Sequence, residues 1–337
     1  MSLTLIATGG TIASTPGEDG AVTATLSGRD LLDRSGQNAA DVDVVDLSVP
    51  GSWNLSTELA ATIATHARTA LEDGADGVVV THGTDVLEET AWLAELIVRR
   101  STGHGGLVFT AAMRHAGEFG GDGPRNLADA LRVAADPATR DRGALLCVNG
   151  ELHHARWVTK TDTTALCTFA SPRRGPVGTV DELGVRFVAP SPRPTPAPAF
   201  DDDGSPELGG PVAVVTSHWE TDPELVPWHL ERGVQGLVVE GGGAGNVNGG
   251  LVDGLLEALR RDVPVVVTSR CRAGEVVPIY GGRGGFATLH AAGAIASHGL
   301  GSGKARLALQ VALGRDPDPD AVRTWFDHLH DEVGAEA

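Results

Sequence analysis

Two short apolar runs, residues 3–7 and 77–80, each end abruptly in a turn rich in threonine and glycine: Thr8-Gly9-Gly10-Thr11-Ile12-Ala13 after the first, Thr81-His82-Gly83-Thr84-Asp85 after the second. Runs this short, apolar but for Thr4 and bounded by turn residues, read as strands buried on both faces, as in the interior of a parallel sheet. Both turns would then leave the carboxyl ends of strands, the edge along which open α/β sheets hold ligands.

The rest of the chain repeats the alternation. Ser56 precedes an apolar stripe at Leu59, Ile63, Ala67 and Leu71 that Gly74 closes, a helix with its cap and its stop. After the strand at 77–80 come a helix over 86–100, a strand over 107–111, a helix opened by Asp122 and Pro124 and running through Ala134, and a strand over 144–148. This order predicts a doubly wound α/β domain with a mostly parallel sheet. Prolines at 190, 192, 194, 196 and 198, followed by Asp201-Asp202-Asp203-Gly204, read as a linker. Beyond it, strands at 212–216, 236–239 and 265–268 alternate with helices in a second, smaller α/β domain, with residues 241–245 as a turn at a strand end. The expected organisation is an N-terminal catalytic domain over 1–189, a linker over 190–210 and a C-terminal α/β domain over 211–337.

Length and composition fit that division. A chain of 337 residues with 41% hydrophobic and 21% charged residues can bury two cores. The formal charge of −18 argues against nucleic acid or an anionic membrane as partner, because such binding rests on clustered Lys and Arg. Arg99-Arg100 and Arg173-Arg174 are isolated pairs. Cys147, Cys167 and Cys271 are odd in number and widely spaced, as reduced structural cysteines would be. With no apolar run of membrane-spanning length and no leader-like start, the expected location is cytoplasmic. His153-His154 and the His328/His330 pair lack the spacing of a strong zinc site, and around residues 299–304 His298 and Ala305 stand where a phosphate loop requires Gly and Ser/Thr, so neither metal nor nucleotide cofactor is expected.

The chemistry sits in the threonine turns. Gly9 and Gly10 allow a sharp turn and a close backbone approach, and Thr11 then offers a hydroxyl and an N–H to a ligand. Thr84 and Asp85 add a second hydroxyl and a carboxylate; as ordinary structure they would cap the helix that follows, which is compatible with a site role. Two hydroxyls, one carboxylate and freed N–H groups at one crevice suit acyl transfer through an activated nucleophile. The stretch Trp157-Val158-Thr159-Lys160-Thr161-Asp162-Thr163-Thr164 supplies the base, since Lys160 stands among threonines with few charges nearby. By itself, the Thr-Gly-Gly-Thr turn would be no more than a tight turn.

Together these segments resemble the bacterial-type L-asparaginase family. The resemblance rests on TGGTIA, THGTD and its continuation Glu88-Glu89-Thr90-Ala91, VTKTDTT followed by residues 169–178, and Gly245-Asn246-Val247-Asn248, blocks that span residues 3 to about 313. It implies cofactor-free hydrolysis of the side-chain amide of asparagine to aspartate and ammonia through a threonine nucleophile and an acyl-enzyme, with glutamine as a secondary substrate in some members. It assigns Thr84, Asp85 and Lys160 to one catalytic set and favours Thr11 as nucleophile, while residues alone leave open which threonine attacks. It also places Gly10, Gly51, Ser52, Trp53, Gly83, Thr84 and Asp85 around the substrate, with Ser52 at the α-carboxylate and Asp85 at the α-ammonium. Asn248, with Asn246 beside it, matches a segment that such enzymes contribute to a neighbouring subunit, within homotetramers built from intimate dimers.

Three departures stand out. Trp53 occupies a position that usually holds a polar residue, so the pocket rim should be more apolar. The glycine-rich segment 14–28 reads as a mobile flap but lacks the tyrosine that usually activates the nucleophile, leaving Thr23 or Thr25 as substitutes; the chain's single tyrosine is Tyr280. That vacancy points to low turnover or another route to activating Thr11. Glu275 is the nearest match to the acidic residue a partner subunit usually supplies, and it stays outside the site set. Two other functions compete: an amidotransferase subunit that releases ammonia, and a non-catalytic amino-acid-binding relative.

Overall fold

The computed structural model describes residues 2–37, 42–47, 51–98, 105–190, 198–201 and 204–334. Most of the proline-rich stretch, Asp202-Asp203 and Arg99-Arg100 lie outside the described residues. The chain divides into two compact units, Met1–Pro194 and Thr195–Ala337.

The first unit is built on β1 (Leu3–Ala7), a hairpin of β2 (Ser14–Pro16) and β3 (Val22–Ala24), α1 (Gly28–Ser35), β4 (Val42–Asp46), α2 (Thr57–Glu72), β5 (Gly77–Thr81), α3 (Leu87–Val98), β6 (Gly106–Thr110) and α4 (Gly123–Ala135). There follow β7 (Ala144–Val148), β8 (Glu151–His154), the two-residue strands β9 (Thr159–Lys160) and β10 (Phe169–Ala170), β11 (Gly178–Asp181) and β12 (Gly184–Phe187). Eight of these strands form one sheet in the order β12-β11-β8-β7-β6-β5-β1-β4. The run β4-β1-β5-β6-β7 is parallel, and β8, β11 and β12 extend it antiparallel.

Every residue of β5, β6 and β7 is buried, as expected of strands covered on both faces. Leu5, Val79, Val108, Leu145 and Cys147 share one face with Leu31 and Leu32 of α1 and Leu127 and Leu131 of α4. The alternate residues Ile6, Val78, Val80, Phe109 and Leu146 are fully buried on the opposite face, and α2 and α3 pack on each other and on the strands. The stripe read from sequence is the buried face of α2, and the Ser56 hydroxyl caps that helix by accepting from Leu59 N–H at 3.2 Å.

Two sequence expectations need amendment. The antiparallel strands β8, β11 and β12 and the edge strand β4 went unforeseen. Their residues are short runs mixed with Asp, Glu, Arg and Gly that show no clear two-residue alternation; tight hairpins pair β8 with β7 and β12 with β11, and only β4 with β1 and β11 with β8 pair across longer separations. Asp122 stands at the start of α4 as expected, but its carboxylate does not cap that helix. It accepts from Met113 N–H and Arg114 N–H, both at 2.9 Å, and so fixes the loop after β6.

Within the parallel strands the order is second-first-third-fourth-fifth by sequence, so the winding reverses between β1 and β5. A doubly wound sheet opens a crevice at such a point, outside the carboxyl ends of its strands. Register brings those ends level: Ala7 lies opposite Thr81, and Thr8 then donates to the Thr81 carbonyl from its N–H at 3.2 Å and its hydroxyl at 2.7 Å.

The second unit holds β13 (Val212–Thr216), α5 (Leu225–Glu231), β14 (Gly236–Gly241), α6 (Val252–Arg260), β15 (Val265–Ser269), α7 (Phe286–Ala291), β16 (Ile295–Ala296), α8 (Ser302–Arg315) and α9 (Pro319–Gly334). Its four strands are parallel in chain order, around a core that includes Leu237, Val239, Val265, Val267, Leu255 and Phe286. This is the smaller α/β unit that the strand and helix alternation predicts.

Candidate active site

Three loops meet at the winding reversal, and glycine is what lets them meet. Gly10 has φ 81°, and a methyl group there would lie 2.5 Å from the Gly83 nitrogen and 2.6 Å from its Cα. A methyl on Gly83 would lie 2.7 Å from both Cβ and Oγ of Ser52. The turns after β1 and β5 therefore touch through their backbones, with Ser52 against the second of them. Thr11 and Thr84 each follow one of the touching glycines.

Thr11 opens a short 3-10 turn whose next residues, Ile12 and Ala13, are buried. The Gly10 carbonyl accepts from Ala13 N–H at 3.0 Å and the Ser14 hydroxyl at 2.8 Å, so the backbone beneath Thr11 is held from both sides. Thr11 itself is half-buried. Thr84 is buried and Asp85 exposed just before α3, and the side chains of both meet Lys160. Lys160 Nζ donates to Thr84 Oγ1 at 3.0 Å and to Asp85 Oδ1 at 2.8 Å. The lysine side chain is 18% exposed, so this pairing sits at the crevice wall instead of in open solvent.

Lys160 reaches the site from outside the main sheet. It lies on β9, paired only with β10, with Phe169 opposite Lys160 and Ala170 opposite Thr159. Glu88, in the first turn of α3, accepts from Thr159 Oγ1 at 3.0 Å and from the Lys160 backbone N–H. Sequence reasoning noticed Glu88 only as part of a motif, because an acidic residue at the start of a helix already has an ordinary explanation in the helix dipole. Thr84 also lines a shallow crevice with Asp122, Asn126, Leu166 and Phe169.

His82, present in sequence only as a member of the Thr81–Asp85 turn, is buried. Its ring is 1% exposed, and its Nδ1–H donates to its own neighbour's carbonyl, Gly83 O, at 2.7 Å. Burial, partly opposed by that bond, pushes the imidazole down to about 4. In the unfolded chain it would titrate near 6.5, so between these values the unfolded state binds the extra proton and stability falls as pH falls. The loss from pH 7 to pH 4 should be on the order of 3 kcal/mol. Urea midpoints across that window should drop in the wild type and much less in His82→Gln. An unchanged slope in the variant would move the effect to other groups.

Trp53 is 72% exposed and its ring folds back over Gly51, where a methyl would lie 2.4 Å from the indole. The segment 14–28 forms the β2/β3 hairpin and the start of α1; Thr25 Oγ1 meets Thr15 Oγ1 at 2.8 Å, and Thr23 is exposed opposite Thr15. Tyr280 belongs to the second unit and is exposed. Asn248 also belongs to the second unit, beyond β14. Its Oδ1 accepts from Gly250 N–H at 2.8 Å, its backbone N–H donates to Ser217 Oγ at 2.7 Å, and its Nδ2 donates to the Trp219 carbonyl. Asn246 Oδ1 accepts from Phe286 N–H at 3.2 Å.

Comparison with known proteins identifies the family of both domains. Residues 2–193 match the family model for the asparaginase N-terminal domain, and residues 211–326 that for the glutaminase/asparaginase C-terminal domain. A probable L-asparaginase of Deinococcus radiodurans is 37% identical, over 96% of both chains. L-asparaginase 2 of Escherichia coli is 30% identical, over 97% of this chain and 92% of its own. The crystal structure of a probable cytoplasmic L-asparaginase from Campylobacter jejuni superposes with a TM-score of 0.84 at 28% identity, covering 97% of this chain and 99% of that one. With both domains matched over nearly its full length and a lysine, threonine and aspartate gathered where its sheet reverses, the chain belongs to the bacterial-type L-asparaginase family.

Proposed function

We propose that this chain hydrolyses the side-chain amide of L-asparagine through an ester formed on Thr11. The observation that carries the reading is Lys160 Nζ at 3.0 Å from Thr84 Oγ1 and 2.8 Å from Asp85 Oδ1, beside the Gly10–Gly83 contact. In the first half, the Thr11 oxygen attacks the amide carbon, its proton passes to the departing nitrogen, and ammonia leaves. In the second half, water attacks the ester and returns the proton to Thr11, releasing aspartate. Lys160 and Thr84 form the proton relay, and the N–H groups freed by the glycine turns face the charge that develops on the amide oxygen. The pairing of a lysine with a threonine hydroxyl suits either half, and Thr11 is favoured as the attacking group by the family to which the chain belongs, with Thr84 as the alternative. Glutamine, one methylene longer, would be a secondary substrate.

Ser52, buried against Gly83, is assigned to the α-carboxylate and Asp85 to the α-ammonium, with Gly10, Gly51, Trp53 and Gly83 around them. Lys160 occupies one oxygen of Asp85, so a bound ammonium would share that carboxylate through the other. Asp85→Asn should therefore raise KM for asparagine on the order of tenfold, and raise it much less for succinamate, which lacks the α-amino group. Any effect on kcat through Lys160 would be common to both substrates. Equal KM penalties would remove Asp85 from ammonium recognition.

The same reading makes 1–189 the catalytic domain, 190–210 a linker and 211–337 a domain that lends Asn248 to a neighbouring subunit in a tetramer of intimate dimers. Sedimentation equilibrium tests the assembly, and Asn248→Ala the shared site. A cytoplasmic location accords with the free cysteines Cys147, Cys167 and Cys271 and with the Campylobacter jejuni relative; the Haemophilus influenzae relative, 34% identical, is described as a probable periplasmic L-asparaginase, and cell fractionation decides between the two. Ammonia release from asparagine by the purified chain without tRNA tests the activity itself. No release would leave the binding-only or amidotransferase readings.

A further inference from the structure

We propose that Glu88 is a positioning residue that sets the place of Lys160 Nζ, an inference that rests on the reading of Lys160 above. The carboxylate spans two consecutive residues of β9, accepting from Thr159 Oγ1 at 3.0 Å and from the Lys160 backbone N–H. Thr84 and Asp85, the two groups that Nζ meets, lie just before Leu87–Val98, and Glu88 lies in the first turn of that same helix. One helix start thus carries both destinations of the lysine side chain and the grip on its backbone.

Such a grip has work to do because β9 lies outside the main sheet, in a local structure whose flanks are bonded by Val158 N–H to the His154 carbonyl at 3.1 Å and by Thr161 N–H to the Thr168 carbonyl at 2.7 Å. The strand is two residues long, pairs only with β10 and stands apart from the eight-stranded sheet. The lysine stem has four carbons and rotates freely, so the distance from Nζ to a hydroxyl is fixed only as well as the backbone at its root. A shift of about 1 Å at a reacting group can cost on the order of 100-fold in rate. The ordinary role of Glu88, an acid in the first turn opposing the helix dipole, requires neither of its two bonds to β9.

The chain makes the test clean, since Lys160 and Lys304 are its two lysines. Protein labelled in its lysine side chains should give two lysine signals by NMR, and Lys160→Met assigns them. Glu88→Ala is expected to move or broaden the Lys160 signal and leave that of Lys304 in place. It should also lower kcat for asparagine roughly 10- to 100-fold with KM within about threefold. Glu88→Gln, which keeps one oxygen acceptor, should fall between Glu88→Ala and the wild type. In a Lys160→Met background, Glu88→Ala should cost less than about twofold in kcat, because its effect runs through the lysine. An unmoved Lys160 signal overturns the proposal whether or not the enzyme is active, and so does an equal fold-loss in both backgrounds. A wild type that releases no ammonia while Glu88→Ala still displaces the Lys160 signal would overturn the functional reading and leave the positioning role standing.

Discussion

Thr11→Val should abolish turnover of asparagine, with kcat lower by on the order of 10⁴-fold or more, while the fold and the affinity for substrate stay near those of the wild type. Valine keeps the β-branched shape of threonine and removes only the hydroxyl. The backbone beneath position 11 is held by bonds to the Gly10 carbonyl and by the buried side chains of Ile12 and Ala13, none of which uses that hydroxyl. Thermal unfolding and calorimetric binding of asparagine report on structure and affinity, and ammonia release reports on chemistry. Wild-type turnover in the variant would move the nucleophile to Thr84. A lost rate with equally lost binding would make Thr11 a binding residue.

Such a prediction is possible because this part of the site is local in sequence. Strands that are apolar nearly throughout announce burial on both faces, and the turns that end them lie where the carboxyl edge of the sheet must be. The Gly10–Gly83 contact then needs only the register of β1 against β5, which brings Ala7 opposite Thr81. Ser56 and its helical stripe were legible for the same reason, since a cap and the face it precedes are neighbours in the chain.

What sequence could not show depends on contacts that no local pattern announces. Lys160 stands on a strand of two residues, too short for any periodicity, and its place is set by Glu88 and Phe169 from two other elements. The Asp122 carboxylate looked like a helix cap but turns back to the loop at Met113 and Arg114, because those N–H groups are closer to it in space than in pattern. His82 carried no signal: a histidine after a strand reads as an exposed turn residue, and only its burial against the sheet edge lowers its proton affinity. Thr23 and Thr25 likewise answer to hairpin pairing, with Thr25 meeting Thr15.

Lys160→Met is expected to lower kcat by about 10²- to 10⁴-fold, the range a positioned base contributes, with little loss of stability. Methionine keeps the length and apolar stem, and Asp85, left without its partner, is 49% exposed and can turn to water. The rise of rate with pH in the wild type should be absent from the variant; a rise that survives unchanged would assign the base elsewhere. That comparison alone does not separate a proton acceptor from a fixed positive charge. Lys160→Arg does, because guanidinium can still donate to Thr84 Oγ1 and Asp85 Oδ1 but does not give up its proton in a protein. If Lys160 acts as the base, arginine should be about as inactive as methionine. If arginine instead restores most of the rate, the lysine serves by its charge, and the proton of Thr11 must leave by way of the substrate or water.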